Sequence, residues 1–240
     1  MKTALLVTTI VALALPSHAV LFRLPLSSDT AVHYYYDHDS SSGLADWKCA
    51  GETYNGHRGT DFSGGPRGRA IFAGGSGTLE YKIDGFGDGA FGNTDGGGFG
   101  NHVRLAHANG FKTYYGHMTI NSVTTKAIGS AITCGEQIGG VGTSGSSTGF
   151  HLHFEPRING TADDPFSGTC GGPLSYWVNQ NNGHPTTECE GAASIPAAPS
   201  ALSATAISAG QINLSWIDHA GNETGFKIER ATLPGGTWSQ

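Results

Sequence analysis

The segment Gly149-Phe150-His151-Leu152-His153-Phe154-Glu155 alternates strictly between apolar and polar side chains. This alternation, with its two aromatic residues, predicts a half-buried β-strand whose successive side chains point to opposite faces. We therefore expect Phe150, Leu152 and Phe154 to face a core. The two histidines and the glutamate share the other face, where a metal ion could bind.

His151 and His153 are two positions apart, so their Cα atoms lie roughly 6.6 Å apart on one strand and both imidazoles can reach one small site. Strand geometry alone leaves open whether one or both histidines are metal ligands. A pair of exposed histidines on an edge strand is the other interpretation of the same pattern.

A second candidate motif is Gly56-His57-Arg58-Gly59-Thr60-Asp61. His57 and Asp61 are four residues apart, which places both side chains on one face in either helical or extended backbone. Histidine and aspartate are both zinc ligands, and one histidine of the 149–155 strand would complete a three-ligand site. The His-x-x-x-Asp spacing is common in proteins, so it predicts a metal site only in combination with a histidine of the 149–155 strand.

Residues 101–106 and 111–118 also alternate, and the Asn109-Gly110 turn between them predicts a β-hairpin. His117 closes its second strand, either as a structural histidine or as a catalytic base. The glycine-rich stretch 83–100 contains acidic residues but lacks the spacing of a calcium loop. We interpret it as a surface loop bordering the active site.

Composition favours an all-β, turn-rich, secreted protein. Only 13% of the 240 residues are charged, against about 25% on average, and 38 are glycine. The formal net charge of −6 argues against a nucleic-acid partner, which normally requires a basic surface.

Residues 1–19 have the features of a signal peptide, because one lysine precedes a short apolar run that ends in Ser17, His18 and Ala19. The run is too short to span a membrane. Export to an oxidising compartment favours disulfides for the four cysteines, which include no Cys-x-x-Cys pair. We expect Cys49–Cys134 and Cys170–Cys189, because the second pair closes a local loop.

Three motifs occur in an order and spacing that resemble the lysostaphin-type, or LytM-type, zinc endopeptidases. They are the 56–61 motif, the segment Tyr115-Gly116-His117-Met118, and residues 146–155. The resemblance covers about residues 50–166. It implies an all-β fold in which a small antiparallel β-sheet carries a substrate groove.

The resemblance also implies the role of each candidate residue. His57, Asp61 and His153 would be the ligands of one Zn²⁺ ion, and His117 and His151 the unliganded catalytic pair. Such enzymes cut the peptide cross-links of bacterial peptidoglycan by means of a zinc-activated water. No His-Glu-x-x-His motif is present, so proton transfer falls to the two catalytic histidines. Glu155 is favoured as a residue that orients an imidazole over a role as the base, and Tyr54 is a weaker candidate for oxyanion stabilisation.

The expected organisation is a signal peptide at 1–19, a zinc endopeptidase domain at 20–190 and a Pro/Ala linker at 191–199. The domain would end in an irregular, disulfide-tied extension at 166–190. Residues 200–240 resemble the opening half of a fibronectin type III module, with three strands and Trp216 in its core, and so form an incomplete β-sandwich.

The implied protein is secreted or periplasmic, and it has no membrane span once the signal peptide is removed. Three other functions fit the same sequence. One is a secreted protease of glycine-rich proteins, similar to the β-lytic enzymes, and another is a catalytically inactive protein that binds cell wall or activates another hydrolase. The third is a fibronectin-type adhesin whose N-terminal domain is only a scaffold. The sequence does not choose the bond that is cleaved or the oligomeric state.

Overall fold

The computed structural model describes residues 20–190, 199–208 and 211–219. Its strands are β1 Val32–Tyr34, β2 Thr60–Ser63, β3 Ala70–Phe72, β4 Gly77–Ile83, β5 Asn101–Ala106, β6 Phe111–Met118, β7 Ala131–Ile132, β8 Gln137–Gly140, β9 His151–Ile158, β10 Thr161–Ala162, β11 Ser200–Ser208 and β12 Gln211–Ile217. Short 3₁₀ segments occur at Asp95–Gly98, Ala108–Gly110 and Asn181–Gly183. The predicted all-β fold class is confirmed.

The chain divides into two compact units, one of which is Ala19–Gly191 and contains β1 to β10. The predicted signal peptide, most of the predicted linker and the third predicted C-terminal strand lie outside the described residues. Within the described ranges, no helix is long and apolar enough to cross a membrane.

The main sheet of the large unit is antiparallel and has the order β1-β2-β9-β6-β5-β4-β7, with β10 paired to β9. Strands β3 and β8 form a separate two-stranded sheet. The predicted hairpin is present as β5 and β6, with the bounds expected from the alternation of side chains. Strand β9 lies between β2 and β6, so the 149–155 motif meets the two other motifs on neighbouring strands.

Alternation along β9 buries Leu152 and Phe154 completely. They join a core cluster on one side of the sheet, with Phe22, Phe62 and Trp177 among its aromatic members. Phe150 departs from the prediction, because 43% of its surface is exposed. The strand begins at His151, so Phe150 lies outside the pleated backbone on which the alternation argument depends.

The predicted disulfide pairing is wrong. The disulfides join Cys49 to Cys170 and Cys134 to Cys189, over sequence separations of 121 and 55 residues. The 166–190 extension is irregular as predicted, but it runs back along the large unit, where the backbone N–H of Cys170 donates to the carbonyl of Trp47. This path brings each extension cysteine to a distant loop, whereas the prediction assumed a local loop closure.

The C-terminal unit contains a described hairpin of β11 and β12, which are antiparallel. Both strands fall where the apolar alternation predicts them. Trp216 is only half-buried, and Ile212 and Ile217 are exposed. The fibronectin type III module stays a prediction, because a hairpin is shared by many β-folds.

Candidate metal centre and active site

His57, Asp61 and His153 meet at one buried point. The Nε2 atom of His57 lies 3.1 Å from Oδ1 of Asp61, and Nδ1 of His153 lies 2.8 Å from the same oxygen. The two imidazole nitrogens are 3.3 Å apart. This nitrogen and carboxylate donor set is one that a transition-metal ion can share.

Sheet register places two of these side chains. Asp61 on β2 is directly opposite His153 on β9, so their side chains project from the same face. His57 approaches from the turn before β2, and Gly59 makes that approach possible. A Cβ atom at Gly59 would lie 2.7 Å from both the His153 ring and the Phe154 carbonyl oxygen, which is closer than side chains pack.

The other nitrogen of each ring fixes its orientation. Nδ1 of His57 lies 2.6 Å from the carbonyl oxygen of Tyr35, which can only accept, so this nitrogen carries the hydrogen. Nε2 of His153 lies 3.3 Å from Oε2 of Glu155. A neutral ring whose N–H is used in this way presents a lone pair from its other nitrogen. The two facing nitrogens and Asp61 therefore converge on a place that suits a cation.

The pKa directions agree with that conclusion. Burial would lower the pKa of His153, but hydrogen bonds to Asp61 and Glu155 outweigh it and raise the pKa to about 9. Burial would raise the pKa of Asp61, yet hydrogen bonds from His153 and His57 hold it well below the usual value. Without a metal ion, His153 is therefore protonated at neutral pH and donates to Asp61, and a bound cation would displace that proton and take its place between the rings.

His117 and His151 lie beside this cluster, with their ring centroids 4.6 Å apart. Nδ1 of His117 donates to the carbonyl oxygen of Ser144 at 2.7 Å, and Nδ1 of His151 donates to that of Gly149 at 2.9 Å. Both Nε2 atoms therefore carry lone pairs, and that of His151 is 3.6 Å from Oδ1 of Asp61. The structure thus brings all five predicted site residues together.

Backbone carbonyls are the closest hydrogen-bond partners of this second pair, and the negative charge of Asp61, 3.6 Å from Nε2 of His151, offsets the burial of these rings only in part. Burial, with a smaller contribution from His151 and His153, lowers the pKa of His117 to about 3. Burial also lowers the pKa of His151. His117 has a left-handed backbone with φ of +59°, and its N–H donates to the carbonyl oxygen of Phe99. A strained residue held this firmly at a buried site is typical of an active site.

Glu155 and Tyr54 also lie at the site. Glu155 is almost fully buried and is held from its other side by Arg157, whose Nε lies 2.5 Å from Oε1. It therefore contacts His153 from behind, in agreement with an orienting role. The Tyr54 ring stacks on that of His57 at 4.2 Å, and burial raises the pKa of its phenol.

An open cleft of about 240 Å³ leads to these side chains. Its lining includes Gly97, Gly98 and Phe99, so the glycine-rich stretch borders the site as predicted. Sequence analysis missed Arg58 as a lining residue, and it missed the backbone carbonyls that orient the rings. Those carbonyl contacts have no signature in side-chain patterns.

Residues 55–165 match the family model described as peptidase family M23. This segment is a peptidase family M23 domain. The matched range contains all five site residues described above, together with Glu155. The predicted family resemblance over about residues 50–166 is confirmed.

Curated relatives are similar to the M23 domain but much longer than this chain. A DD-carboxypeptidase/endopeptidase Mpg from Neisseria meningitidis is 39% identical over 115 residues, which are 48% of this chain and 23% of the relative. The peptidoglycan DD-endopeptidase ShyC from Vibrio cholerae is 34% identical over 109 residues, which are 45% of this chain and 22% of the relative. The chain spans less than a quarter of either relative.

Two solved structures are also similar to this chain. The catalytic domain of a point mutant of the prophage-encoded M23 protein EnpA from Enterococcus faecalis has a TM-score of 0.45 at 26% identity, covering 60% of this chain and 95% of that one. The catalytic domain of lysostaphin from Staphylococcus simulans has a TM-score of 0.40 at 25% identity, and the similarity covers 57% of this chain and 90% of that domain.

Proposed function

We propose that this protein is a secreted or periplasmic zinc metalloendopeptidase that hydrolyses the peptide cross-links of bacterial peptidoglycan. The observation that carries the proposal is the convergence of two groups at one cleft. Two ring nitrogens and a carboxylate meet at one place, and the Nε2 atoms of two further imidazoles lie beside it, with backbone carbonyls rather than carboxylates as the partners of their Nδ1 atoms.

The proposed metal ligands are His57 through Nε2, Asp61 through its carboxylate and His153 through Nδ1. Two nitrogens and one oxygen are a donor set that Zn²⁺ accepts, and three protein ligands are typical of catalytic rather than structural zinc sites. Glu155 and the Tyr35 carbonyl set the tautomers of the two ligand rings. When bound, Zn²⁺ supplies Lewis acidity toward a water molecule and toward the scissile carbonyl group.

His117 and His151 are the proposed acid–base pair. Their Nδ1 hydrogens are committed to backbone carbonyls, so each Nε2 is free to accept a proton from the attacking water. A protonated Nε2 then donates to the developing oxyanion or to the leaving amine. The lowered pKa of both rings keeps them in the neutral form, with Nε2 unprotonated, at neutral pH.

A peptidoglycan substrate is supported by the names of the relatives, which are peptidoglycan or DD-endopeptidases. Gly97 and Gly98 line the cleft without side chains, so an extended peptide backbone can approach the site closely. Two disulfides and no free cysteine among the described residues support an oxidising compartment. The acidic net charge supports the expectation that nucleic acid is not a partner.

Purified sacculi test the proposal directly. We expect the zinc-loaded protein to release peptides from sacculi, a chelator to abolish the release, and added Zn²⁺ to restore it. Mass spectrometry of the new termini, on directly cross-linked and glycine-bridged walls, identifies the cleaved bond.

Two outcomes would contradict the proposed activity. Hydrolysis of a glycine-rich protein without any release from sacculi would favour the β-lytic-like alternative, which the disulfides also fit. Zinc binding without hydrolysis of either material would favour a wall-binding or activator role. The His117→Ala variant serves as the matched control for cleavage by contaminants.

A further inference from the structure

Arg58 stands at the junction of two cavities. One is the cleft that leads to His57, His117 and His153, and the other is a neighbouring cavity of about 400 Å³. The two share Gly56 and Arg58 in their linings. A charged side chain at this junction can contact a substrate that extends from the cleft into the neighbouring cavity.

Arg58 is the one described cation without a protein partner. Every other arginine and lysine in the described ranges has a hydrogen bond, an ion pair or an aromatic contact. Arg58 is exposed and has none of these. In a chain with a net charge of −6, an unpaired guanidinium beside the candidate active site is available to an anionic ligand.

The carboxylates of the neighbouring cavity are occupied by other groups. Asp37 accepts backbone N–H groups from Asp39 and Ala45 at 3.1 Å each, and from Gly56 at 2.9 Å. Asp39 accepts the backbone N–H of Ser41 at 2.7 Å. These bonds direct both aspartates to local backbone, so neither pairs with the guanidinium.

The backbone that carries Arg58 is fixed on both sides. The His57 N–H donates to the Tyr54 carbonyl at 3.0 Å, and the His57 carbonyl accepts from Asp37 at 2.9 Å. Gly59 packs directly against the His153 ring. Adjacent Cα atoms are about 3.8 Å apart, so the Arg58 side chain starts one residue from a proposed metal ligand. Arg58 also lines the same cleft as His57 and His153, so a peptide whose scissile amide lay at these residues would have its adjoining residue beside Arg58.

We propose that Arg58 is a specificity-determining residue that binds a free carboxylate on the substrate residue adjoining the scissile amide. This inference rests on the proposed function and narrows its substrate class. A guanidinium can donate two parallel, charge-assisted hydrogen bonds to the two oxygens of a carboxylate. A neutral carboxamide has one oxygen acceptor and no charge, so it binds a guanidinium more weakly. The favoured cross-link is one in which a diamino acid keeps its carboxylate beside the cleaved bond, and the disfavoured ones are amidated or built of glycine.

Matched peptides test this proposal through binding. We would titrate zinc-loaded full-length protein with two cross-linked peptides that carry a cleavage-resistant reduced amide and differ only in a carboxylate or a carboxamide beside it. A charge-assisted hydrogen bond contributes about 1.5–3 kcal/mol, so the carboxylate peptide should bind roughly ten- to a hundredfold more tightly. Arg58→Gln should reduce that preference to near unity, and Arg58→Lys should keep part of it.

Lys126→Gln is the charge-matched control, because Lys126 pairs with Glu136 and lines neither cavity. It should keep the full preference, and zinc content should be equal in all variants. Equal binding of the two peptides by the wild type, failure to bind either, or an unchanged preference in Arg58→Gln would overturn the proposal. Hydrolysis of the unmodified peptides is measured separately. Arg58-dependent binding without any hydrolysis would overturn the proposed activity and leave this inference supported.

Discussion

Two pairs of histidines lie within a few ångströms of each other, and they differ in how directly carboxylates contact their rings. His57 and His153 share the carboxylate of Asp61, and His153 has Glu155 as well. His117 and His151 have backbone carbonyls as their Nδ1 partners. The first pair is therefore suited to hold a cation, and the second to exchange protons as neutral bases.

The pKa directions follow from those partners. His153 has its pKa raised to about 9, because its carboxylate hydrogen bonds outweigh burial, whereas burial lowers that of His117 to about 3. Both rings are buried, so burial alone does not decide the result. Proximity to charge separates a candidate metal ligand from a candidate catalytic base of the same residue type.

The largest effect is expected from His153→Ala, which removes a ring from the carboxylate-bound pair. The remaining two ligands should not hold the metal, so zinc content and peptide release should both fall to background. Elemental analysis after dialysis measures the metal, and circular dichroism checks the fold. His33→Ala, in an exposed position on β1, is the control and should keep its zinc. A zinc-replete His153→Ala protein would contradict the ligand assignment.

His117→Ala addresses the other pair and should separate metal binding from turnover. We expect full zinc content and a roughly 10²- to 10⁴-fold loss of kcat, the usual contribution of a general acid or base. Parallel measurements of zinc stoichiometry and kcat decide the matter. If His117→Ala lost zinc as readily as His153→Ala, the division between the two pairs would be wrong.

Glu155→Gln should have an intermediate effect, because it preserves an acceptor for His153 but removes the negative charge. Loss of such an orienting partner usually weakens metal affinity by about 10- to 100-fold. Competition with a fluorescent zinc chelator measures this affinity. Glu136→Gln, which removes a surface carboxylate, is the control. Unchanged zinc affinity in Glu155→Gln would show that the carboxylate is dispensable to the site.

The smallest effect is expected at His38, which lies outside the candidate metal centre. Its Nε2 atom is 2.7 Å from Oδ2 of Asp164. That hydrogen bond raises the pKa of His38 above 6.5, while burial raises the pKa of Asp164. Because the pKa of His38 is higher in the folded protein than in the unfolded one, the hydrogen bond contributes its full stabilisation below pH 6.5, the unfolded pKa. This stabilisation is lost as the pH rises through the pKa of the folded state.

We therefore expect His38→Gln to lower the free energy of unfolding by about 1 kcal/mol near pH 6, and by progressively less as the pH increases. Urea unfolding of both proteins across this range measures the difference. His38 is thus a second histidine, after His153, whose pKa is raised by a carboxylate, and it lies outside the group of His57, Asp61 and His153. A difference that grew with increasing pH would contradict the sign.

Much of the site was predictable because its residues lie in short, locally patterned segments. The alternation at 149–155 predicts β9, and the Asn109-Gly110 turn predicts the β5–β6 hairpin. The three motifs and their resemblance to a known family name the five residues that the structure brings together. Local periodicity is enough here because side-chain direction in a strand follows from sequence parity.

Other features depended on contacts between distant segments. The disulfide pairing was wrong because the path of the 166–190 extension is set by packing against the large unit, not by loop length. The expected burial of Phe150 was wrong because the strand begins one residue later. The sequence also could not show that Arg58 lacks a partner among the described residues, because this depends on which acidic groups the other described cations contact.

The sequence by itself determined the residue types and the faces on which they lie: two histidines and a glutamate on one side of β9, and a histidine and an aspartate flanking Gly59. Only the tertiary structure decided which nitrogen of each ring points inward. That choice is made by the Tyr35, Ser144 and Gly149 carbonyls and by Glu155. The physical reason is that a ring nitrogen becomes a ligand or a base only after its other nitrogen has given its hydrogen to a partner, and three of those partners are backbone atoms.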